Sequence, residues 1–413
     1  MLIHKGINLR LKVNKKQEQM LLEHCGATRF IYNSALEYCK MYYEEHKKIP
    51  SYTHLAKKLS QIKRHPDYTW LYAIDSTALQ GSLRNLNQAF QNFFSSRNGT
   101  RKGQRIGLPK FKSRKNARMS FRIQNYNNGT SIRIEQMSNG VRKLRLNKLG
   151  YFYVYSWRKR LALVDDCNRI LSATIYRDSD HRWYVSLTVE YESQVCLPDT
   201  IRTTGVDLGI SNSIVLADGR VTDSPKPLEK YANKLARLQR RWARMRKDSK
   251  NWNKMKRRIG RLYFKIKCVR KNFHHQVTSY LVKNYDVITI ESLGIKRMTS
   301  KKRRNRNLAR KILDEGWFQF KTFLRYKCEW YGKILLEAEK DLPSSKTCSK
   351  CGQLVKLNLL MRKWKCPTCA TIHNRDHNAA LNLNRISTIF VETGKEPTSR
   401  VEFLNSFAAG TAV

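Results

Sequence analysis

The sequence predicts a multidomain α+β chain, and three observations predict it. A strand-like run followed by helix-period apolar positions opens the chain, and a block of short alternating strands fills its middle. Mixed helices and buried-type strands, carrying two C-x2-C pairs, fill the rest. With 413 residues, 41% of them hydrophobic, there is material for about two to four domains with real cores.

Residues 7–13, INLRLKV, alternate as a strand. From Lys15 the apolar positions Leu21, Leu22, Cys25, Phe30, Ile31, Ala35 and Leu36 recur at helical spacing. Two further helical patterns, near Tyr52 to Lys63 and Asp75 to Phe94, complete a helical domain predicted over 15–115. Its end, SSRNGTRKGQRIGLPKFKSRKNARMSFR, is rich in glycine and cations. That composition makes a loop crossing to a second body, in which Lys110 and Lys112 are either phosphate contacts or simply solvated. From Ser120 to Leu197 come SFRIQ, SIRIE, KLRLN, YFYVYSW, RILSATIYR and RWYVSLTVEY, with turn signals at Asn128-Gly129 and Asn139-Gly140. Short strands with hairpin turns argue for a small β-barrel or sandwich, built from 1–14 and 116–200.

After a boundary near 197–202 the character changes. In TTGVDLGISNSIVLADGRV a short strand delivers Asp207 and a hairpin follows. Residues 226–273 carry 19 Lys or Arg against two acids, Glu229 and Asp248, with apolar positions at helical spacing on both sides of KDSKNWNK. This is a helical hairpin whose cationic faces would present Arg240, Arg241, Arg244, Lys256, Arg257 and Arg258. A membrane-surface helix or a solvated face has a similar pattern, but the narrow apolar stripe and the charge excess suit a nucleic-acid backbone better. Next come a strand, DVITIE, ending at Glu291, the basic loop KRMTSKKRRNRNLARK, the helical pattern FQFKTFLRYKCEWYG and the strand KILLEAEKD.

The balance of 81 Lys and Arg against 32 Asp and Glu gives a formal charge of +49. Such a chain repels itself unless a polyanion covers it, and DNA or RNA fits a charge spread over nearly the whole length. No apolar run approaches the length of a membrane span and the opening residues lack a signal peptide's pattern, so the expected location is the cytoplasm or nucleoid. Of ten cysteines, Cys25, Cys39, Cys167, Cys196, Cys268 and Cys328 are scattered, as reduced thiols are.

Two constellations carry chemistry. Asp207 and Glu291 end short apolar strands and Asp376 precedes an apolar helical run, so the three carboxylates can converge above a mixed sheet. Carboxylates so crowded stay ionised only when cations neutralise them, and hard oxygen ligands select Mg²⁺ or Mn²⁺. Two such ions about 4 Å apart bridge a scissile phosphate and stabilise the attacking and leaving oxygens. Each acid taken alone could equally cap a helix or pair with a lysine. Asn378 is a candidate to support the metal ligands, and Arg375 a candidate phosphate contact. Cys348, Cys351, Cys366 and Cys369 form two C-x2-C pairs, able to offer four thiolates to a structural Zn²⁺; an iron–sulfur or redox role is the alternative. Predicted over 343–373, this ribbon ends shortly before Asp376 and could hold that carboxylate in place.

The blocks GVDLGI at 205–210, VITIESLGIKRM at 287–298, PSSKTCSKCG at 343–352, WKCPTC at 364–369 and NRDHNAALNL at 374–383 resemble the signature blocks of the TnpB proteins of insertion sequences. They also resemble the related compact type V CRISPR effectors, and EQMLLEHCGATRFIYNSALE and GLPKFKS are similar to the family's N-terminal region and linker. The resemblance implies a RuvC-like nuclease of ribonuclease H fold over 201–342 and 374–413, with the zinc ribbon inserted, a wedge-like barrel and a helical recognition domain. It implies catalysis by Asp207, Glu291 and Asp376, a structured guide RNA, target double-stranded DNA with a short flanking motif and a prokaryotic host; the oligomeric state stays open, with a monomer favoured. Asn374 stands where relatives commonly carry another Asp. The expected activity is RNA-guided, Mg²⁺-dependent DNA cleavage tied to a transposable element. The alternatives are a nuclease-silent RNA-guided DNA-binding regulator and a strand-joining transposase.

Overall fold

The computed structural model describes residues 2–101, 103–114, 119–126, 129–138, 140–155, 158–192, 200–300, 306–339, 342–358, 361–395, 403–404 and 407. Asn128, Asn139, Cys196, residues 197–199 of the 197–202 boundary and residues 301–305 of the predicted basic loop lie outside these. The chain divides into two compact units, residues 2–192 and residues 193 onward.

In the first unit, β1 (Leu2–Lys12) leads into α1 (Lys15–His46). The turn between them is set by a capping box: Asn14 Oδ1 accepts from Gln17 N at 2.8 Å, and Gln17 Oε1 accepts from Asn14 N at 3.0 Å. Helices α2 (Tyr52–Arg64) and α3 (Ser76–Arg97) follow, with a 3₁₀ turn over Pro66–Ala73 between them. Ile31, Leu36, Leu55, Leu59, Leu79, Leu83, Leu86 and Phe90 form the shared helical core.

The strands are β2 (Ser120–Gln124), β3 (Ile132–Gln136), β4 (Arg142–Leu146), β5 (Gly150–Tyr155), β6 (Arg169–Arg177) and β7 (Trp183–Glu192), with a short helix α4 (Arg158–Asp165) before β6. They join β1 in one antiparallel sheet of order β2-β6-β7-β1-β5-β4-β3, so the first strand of the chain sits at its centre. The expected closed barrel is not formed by strand pairing: edge strands β2 and β3 do not pair among the described residues. Asn125, just past β2, bridges them instead. Its Oδ1 accepts from Ile132 N at 2.9 Å, and its Nδ2 donates to Ile132 O at 3.1 Å and to Ile170 O at 2.8 Å. Helix α4 escapes the sequence pattern because RKRLALVD is a short run with no two-turn apolar periodicity.

The second unit is built on a five-stranded sheet of order β10-β9-β8-β11-β12. Its strands are β8 (Thr203–Asp207), β9 (Ile214–Leu216), β10 (Val221–Thr222), β11 (Val287–Glu291) and β12 (Ile334–Ala338). The first three run antiparallel as a meander, while β11 lies parallel between β8 and β12. A parallel neighbour requires a long crossover, and the cationic hairpin of α5 (Pro227–Ala243) and α6 (Lys250–Asn284) supplies part of it. Leu235, Met255, Ile259, Leu262 and Ile266 zip the hairpin together, and the C-terminal half of α6 adds Phe273, Val277 and Leu281 to the main core beside the sheet. Short α7 (Ile295–Met298), then α8 (Arg306–Glu315) and α9 (Trp317–Tyr331), connect β11 to β12; α9 contributes Phe320 and Leu324 to the same core. Beyond β12 lie β13 (Lys363–Lys365), β14 (Ile372–Asn374) and α10 (Arg375–Thr393).

Helix α10 packs on β8 at Gly205. A Cβ at that position would stand 2.1 Å from Ala380 O and 2.3 Å from Asn384 N, both backbone atoms that cannot swing aside. Thr289 Oγ1 on β11 and Ser387 Oγ on α10 share a buried hydrogen bond of 2.7 Å across the same contact. Gly205→Ala is therefore expected to force α10 off the sheet and to destabilise this unit by about 3 kcal/mol, read as a fall in its thermal or urea midpoint. An unchanged midpoint would mean that α10 does not seat there. No helix of the described residues is long and apolar enough to cross a membrane.

Candidate nuclease centre and cysteine cluster

The three expected acids come together in the second unit. The parallel register pairs Ile290 with Val206, so Glu291 and Asp207 follow side by side at the carboxyl ends of adjacent strands. Asp376 arrives from α10, where it lies within the first helical turn, not ahead of the helix as its sequence suggested. Asp207 and Asp376 are 8% and 7% exposed, so neither can rely on water to solvate its charge. Burial, then the charges of Glu291 and Asp376, push the Asp207 carboxyl well above the usual carboxylate range, against the pull of Arg375 and Arg362. Glu291 is likewise raised, first by burial and also by Asp376, while the Ser344 hydroxyl and Arg375 oppose the rise. Crowded, buried carboxylates raise one another's pKa in this way, and a bound cation would relieve the repulsion.

The surroundings orient Asp376. Asn212 Nδ2 donates to its Oδ2 at 3.1 Å, and Arg362 donates to its Oδ1 at 3.1 Å while also donating to Ser211 Oγ at 2.9 Å. Ser344 Oγ donates to Glu291 Oε1. Asn374, expected from the resemblance to replace an Asp, is the N-cap of α10: its Oδ1 accepts from Asp376 N at 3.1 Å and His377 N at 3.3 Å. An amide oxygen caps as well as a carboxylate oxygen does, so the change keeps the helix start intact. Arg375 is half-buried, near enough to stabilise both Asp207 and Glu291. Sequence reasoning missed Arg362, Asn212 and Ser344, because their roles depend on loops that meet only in the fold.

Asn378 stands behind the carboxylates, its Nδ2 donating to Ser344 O at 3.4 Å in the residue whose hydroxyl holds Glu291. The same Nδ2 donates to Thr347 O at 2.7 Å and Asn378 Oδ1 accepts from Ser349 N at 3.0 Å, gripping the turn that carries Cys348. Asn382, one helical turn on, donates to Ser344 O and Thr347 O at 2.6 and 2.7 Å. These two amides lock α10 to the first cysteine turn and to the segment that supplies Ser344.

Cys348, Cys351, Cys366 and Cys369 present four sulfur atoms within 4.8 Å of one another. Cys348 and Cys369 sulfurs are 3.6 Å apart, as are those of Cys351 and Cys366, close to the edge of a tetrahedron around one Zn²⁺. Burial pushes the Cys348 thiol up to about 12, whereas hydrogen bonds from the Thr371 hydroxyl and backbone bring Cys369 down to about 6. The donor set fits zinc. Gly352 closes the first turn with φ +76°, and a Cβ there would collide at 2.7 Å with the Phe407 ring.

The expected nucleic-acid contacts divide. Lys110 on the linker and Arg240, Arg241, Arg244, Lys256, Arg257 and Arg258 on the hairpin are exposed. Lys112 is instead folded onto the first unit's helices: Asn33 holds both its backbone groups, at 2.8 and 3.0 Å, and its Nζ lies 3.7 Å from the Tyr32 ring centre. Beside Ser211 in the second unit, a cavity of about 480 Å³ is lined by Lys226, Glu229, Arg310, Lys311 and Glu315.

One surface escaped the sequence reading. Strand alternation exposes Tyr151, Tyr153 and Tyr155 on one face of β5, with Phe152 buried on the other. Register sets cations beside them: Arg10 opposite Tyr155, Lys12 and Lys143 opposite Tyr153, and Arg145 opposite Tyr151. The Arg10 guanidinium is 4.1 Å, and Lys143 Nζ 4.7 Å, from the facing ring centres. The signal was YFYVY itself, whose alternation of tyrosines was read only as a strand.

Three family models match the chain: "Helix-turn-helix domain" over residues 1–48, "Probable transposase" over 186–302 and "Cas12f1-like, TNB domain" over 317–383. A "Putative RNA-guided DNA endonuclease" of Streptomyces pristinaespiralis is 31% identical over 383 residues, covering 92% of this chain and 89% of the relative. "Putative RNA-guided DNA endonuclease InsQ" of Escherichia coli K12 is 30% identical over 390 residues, covering 92% and 91%. Among solved structures, the protein of the "Cas12f1-sgRNA-target DNA complex" shares the fold with a TM-score of 0.57 at 15% identity, over 93% of this chain and 99% of that one. With relatives this similar over nearly its whole length, the chain belongs to the TnpB family of IS605-type RNA-guided nucleases, related to the compact type V CRISPR effectors.

Proposed function

We propose that this chain is an RNA-guided DNA endonuclease tied to an insertion element, and that Asp207, Glu291 and Asp376 are its catalytic carboxylates. The observation that carries the reading is their convergence at the ends of β8 and β11 and the start of α10, where burial and neighbouring negative charge raise the pKa of Asp207 and of Glu291. Their oxygens would hold Mg²⁺ or Mn²⁺, whose chemistry when bound is to activate water and neutralise charge at the scissile phosphate. Arg362 and Asn212 fix the rotamer of Asp376, Ser344 fixes Glu291, and Arg375 supplies positive charge beside the carboxylates. Lys226, Arg310 and Lys311, lining the cavity beside Ser211, would take the phosphates of the entering strand.

In this reading 201–342 and 374–413 form the RuvC-like nuclease, 343–373 its zinc ribbon, 1–14 and 116–200 the wedge-like sheet, and 15–115 the helical domain reading the motif beside the target. Base pairing with the guide would read the sequence, and the cationic hairpin would follow the nucleic-acid backbone. The tyrosine face of β5 suits unpaired bases of the RNA, since stacking needs bases that a closed duplex withholds. Tyr153→Ala is expected to weaken RNA binding about tenfold in a filter-binding titration. Replacing Arg240, Arg241 and Arg244 together should instead flatten the salt dependence of binding by about two to three units of slope. The decisive test is the protein purified with its native RNA, offered a matching duplex with randomised flanks. Mg²⁺-dependent cuts beside one short motif are expected, and stable RNA binding without any cut would defeat the nuclease reading.

A further inference from the structure

The cysteine cluster has a neighbour that neither the carboxylates nor the four sulfurs require. His373 on β14 is buried, and its Nε2 lies 3.0 Å from the Cys348 sulfur. Across the two-stranded ladder it pairs with Trp364, whose ring centre is 4.6 Å from its own. Packing against that indole fixes the plane of the imidazole and therefore the direction in which Nε2 points.

His373 does not belong to the ligand set. Among the described residues the group of donor atoms lying within 4.8 Å of one another comprises the four sulfurs alone. A nitrogen and a sulfur bound to one tetrahedral zinc stand about 3.5 Å apart, from bond lengths near 2.0 and 2.3 Å. The 3.0 Å separation is shorter than that, and it is the contact of a donor with an acceptor. Four thiolates around Zn²⁺ leave the cluster with net negative charge inside a buried site, and an N–H aimed at one sulfur disperses part of it.

The place of His373 in the chain gives the contact its consequence. The next residue, Asn374, is the N-cap whose side chain holds the backbone N–H of Asp376, and Arg375 N donates to Arg362 O at 2.8 Å. Arg362 in turn holds the Asp376 carboxylate. A sulfur of the cluster and the last of the three acids are thus joined by three consecutive residues and one hydrogen bond.

We propose that His373 is a positioning residue: its Nε2–H donates to the Cys348 thiolate and so makes the metal cluster the fixed point from which the start of α10, and Asp376 with it, is set. The assignment rests on the reading of the cluster as a zinc site and of Asp376 as a metal-binding carboxylate. It can be read without any cleavage assay.

The experiment compares wild type with His373→Phe, which can still pack on Trp364 but has no donor, and His373→Gln, which restores an N–H of similar reach. Zinc affinity is measured by competition with a chromogenic chelator, and the Co²⁺-substituted proteins are compared by absorption. The expected result is about a tenfold loss of zinc affinity in the Phe variant with recovery in the Gln variant. All three proteins should keep the bands of four-sulfur cobalt, the Phe variant with a displaced thiolate-to-cobalt charge-transfer band. Equal affinity in the Phe variant overturns the proposal, and so does an equal loss in both variants, which would make the imidazole a packing element. A wild-type spectrum of three sulfurs and one nitrogen that changes on substitution overturns it too, by making His373 a ligand. Failure of the wild type to bind zinc at all would overturn the reading of the cluster itself, an outcome distinguishable from the others because it precedes any substitution.

Discussion

Asp207→Asn is expected to do two opposite things: to abolish Mg²⁺-dependent cleavage and to stabilise the metal-free protein. The first effect, about a thousandfold or more in rate, follows if the carboxylate is a metal ligand, since an amide carries no charge to balance the cation. The second follows from its setting. Burial and the charges of Glu291 and Asp376 raise the Asp207 pKa. A group whose folded pKa is raised contributes stability below its unfolded pKa and loses it as pH climbs through the folded value. At neutral pH without divalent cations Asp207 therefore works against folding, and the neutral isostere removes that penalty. A rise of about 2–4 °C in the melting temperature of the second unit is expected for Asp207→Asn in chelator. Added Mg²⁺ should raise the wild-type melting temperature and leave the variant's nearly unchanged. Glu291→Gln should behave alike, because its pKa is raised by the same burial and by Asp376. RNA binding should survive in both variants. Lower melting temperatures for both in chelator would show that the acids are satisfied by neighbouring cations and do not crowd one another.

Removing the metal from the cysteine cluster is expected to be more damaging than losing any one carboxylate, because it releases several contacts together. Cys366→Ser, or extraction by a strong chelator, leaves buried thiols facing one another with nothing to hold the two turns. Structural zinc contributes directly to folding, by about 10 kcal/mol or more in small zinc domains. The first cysteine turn grips α10 through Asn378 and Asn382, and its approach segment carries Ser344, the partner of Glu291. Zinc loss should consequently expose 343–373 to limited proteolysis and abolish cleavage even with Asp207, Glu291 and Asp376 intact. Full cleavage by a variant shown to be zinc-free would sever the connection between ribbon and catalytic centre.

These two centres differ in how openly the sequence announces them. Cysteines at C-x2-C spacing declare a ligand set within a few dozen residues, because the turn geometry that gathers each pair is local. Asp207, Glu291 and Asp376 declare themselves only through the elements that deliver them: strand ends and a helix start are legible, and the parallel register that sets Glu291 beside Asp207 is not. Gly205 is the clearest case of a residue whose meaning was hidden. In GVDLGI it reads as part of a strand, while in the fold it is the flat spot on which α10 rests. Arg362 was invisible for the complementary reason: it lies among cations that looked interchangeable, and only its meeting with Asp376 and Ser211 separates it from them. The tyrosine face shows a third kind of loss. Alternation was used to name the strand, and which side faced outward could be settled only by the burial of Phe152.

The central position of β1 has its own result for how the first unit comes into being. During synthesis this strand leaves the ribosome long before β5 and β7, its two partners, have been made. Nine of its residues wait for Glu192 to Tyr184 to arrive. Closure of so long a loop is slow, and until β7 is made the unfinished sheet is two separate pieces, β2-β6 and β1-β5-β4-β3, each with a bare edge where β7 is to insert. Nascent chains of this protein should accordingly lean on chaperones until that last strand emerges, and clipping the first dozen residues should split the sheet in two rather than trim its border.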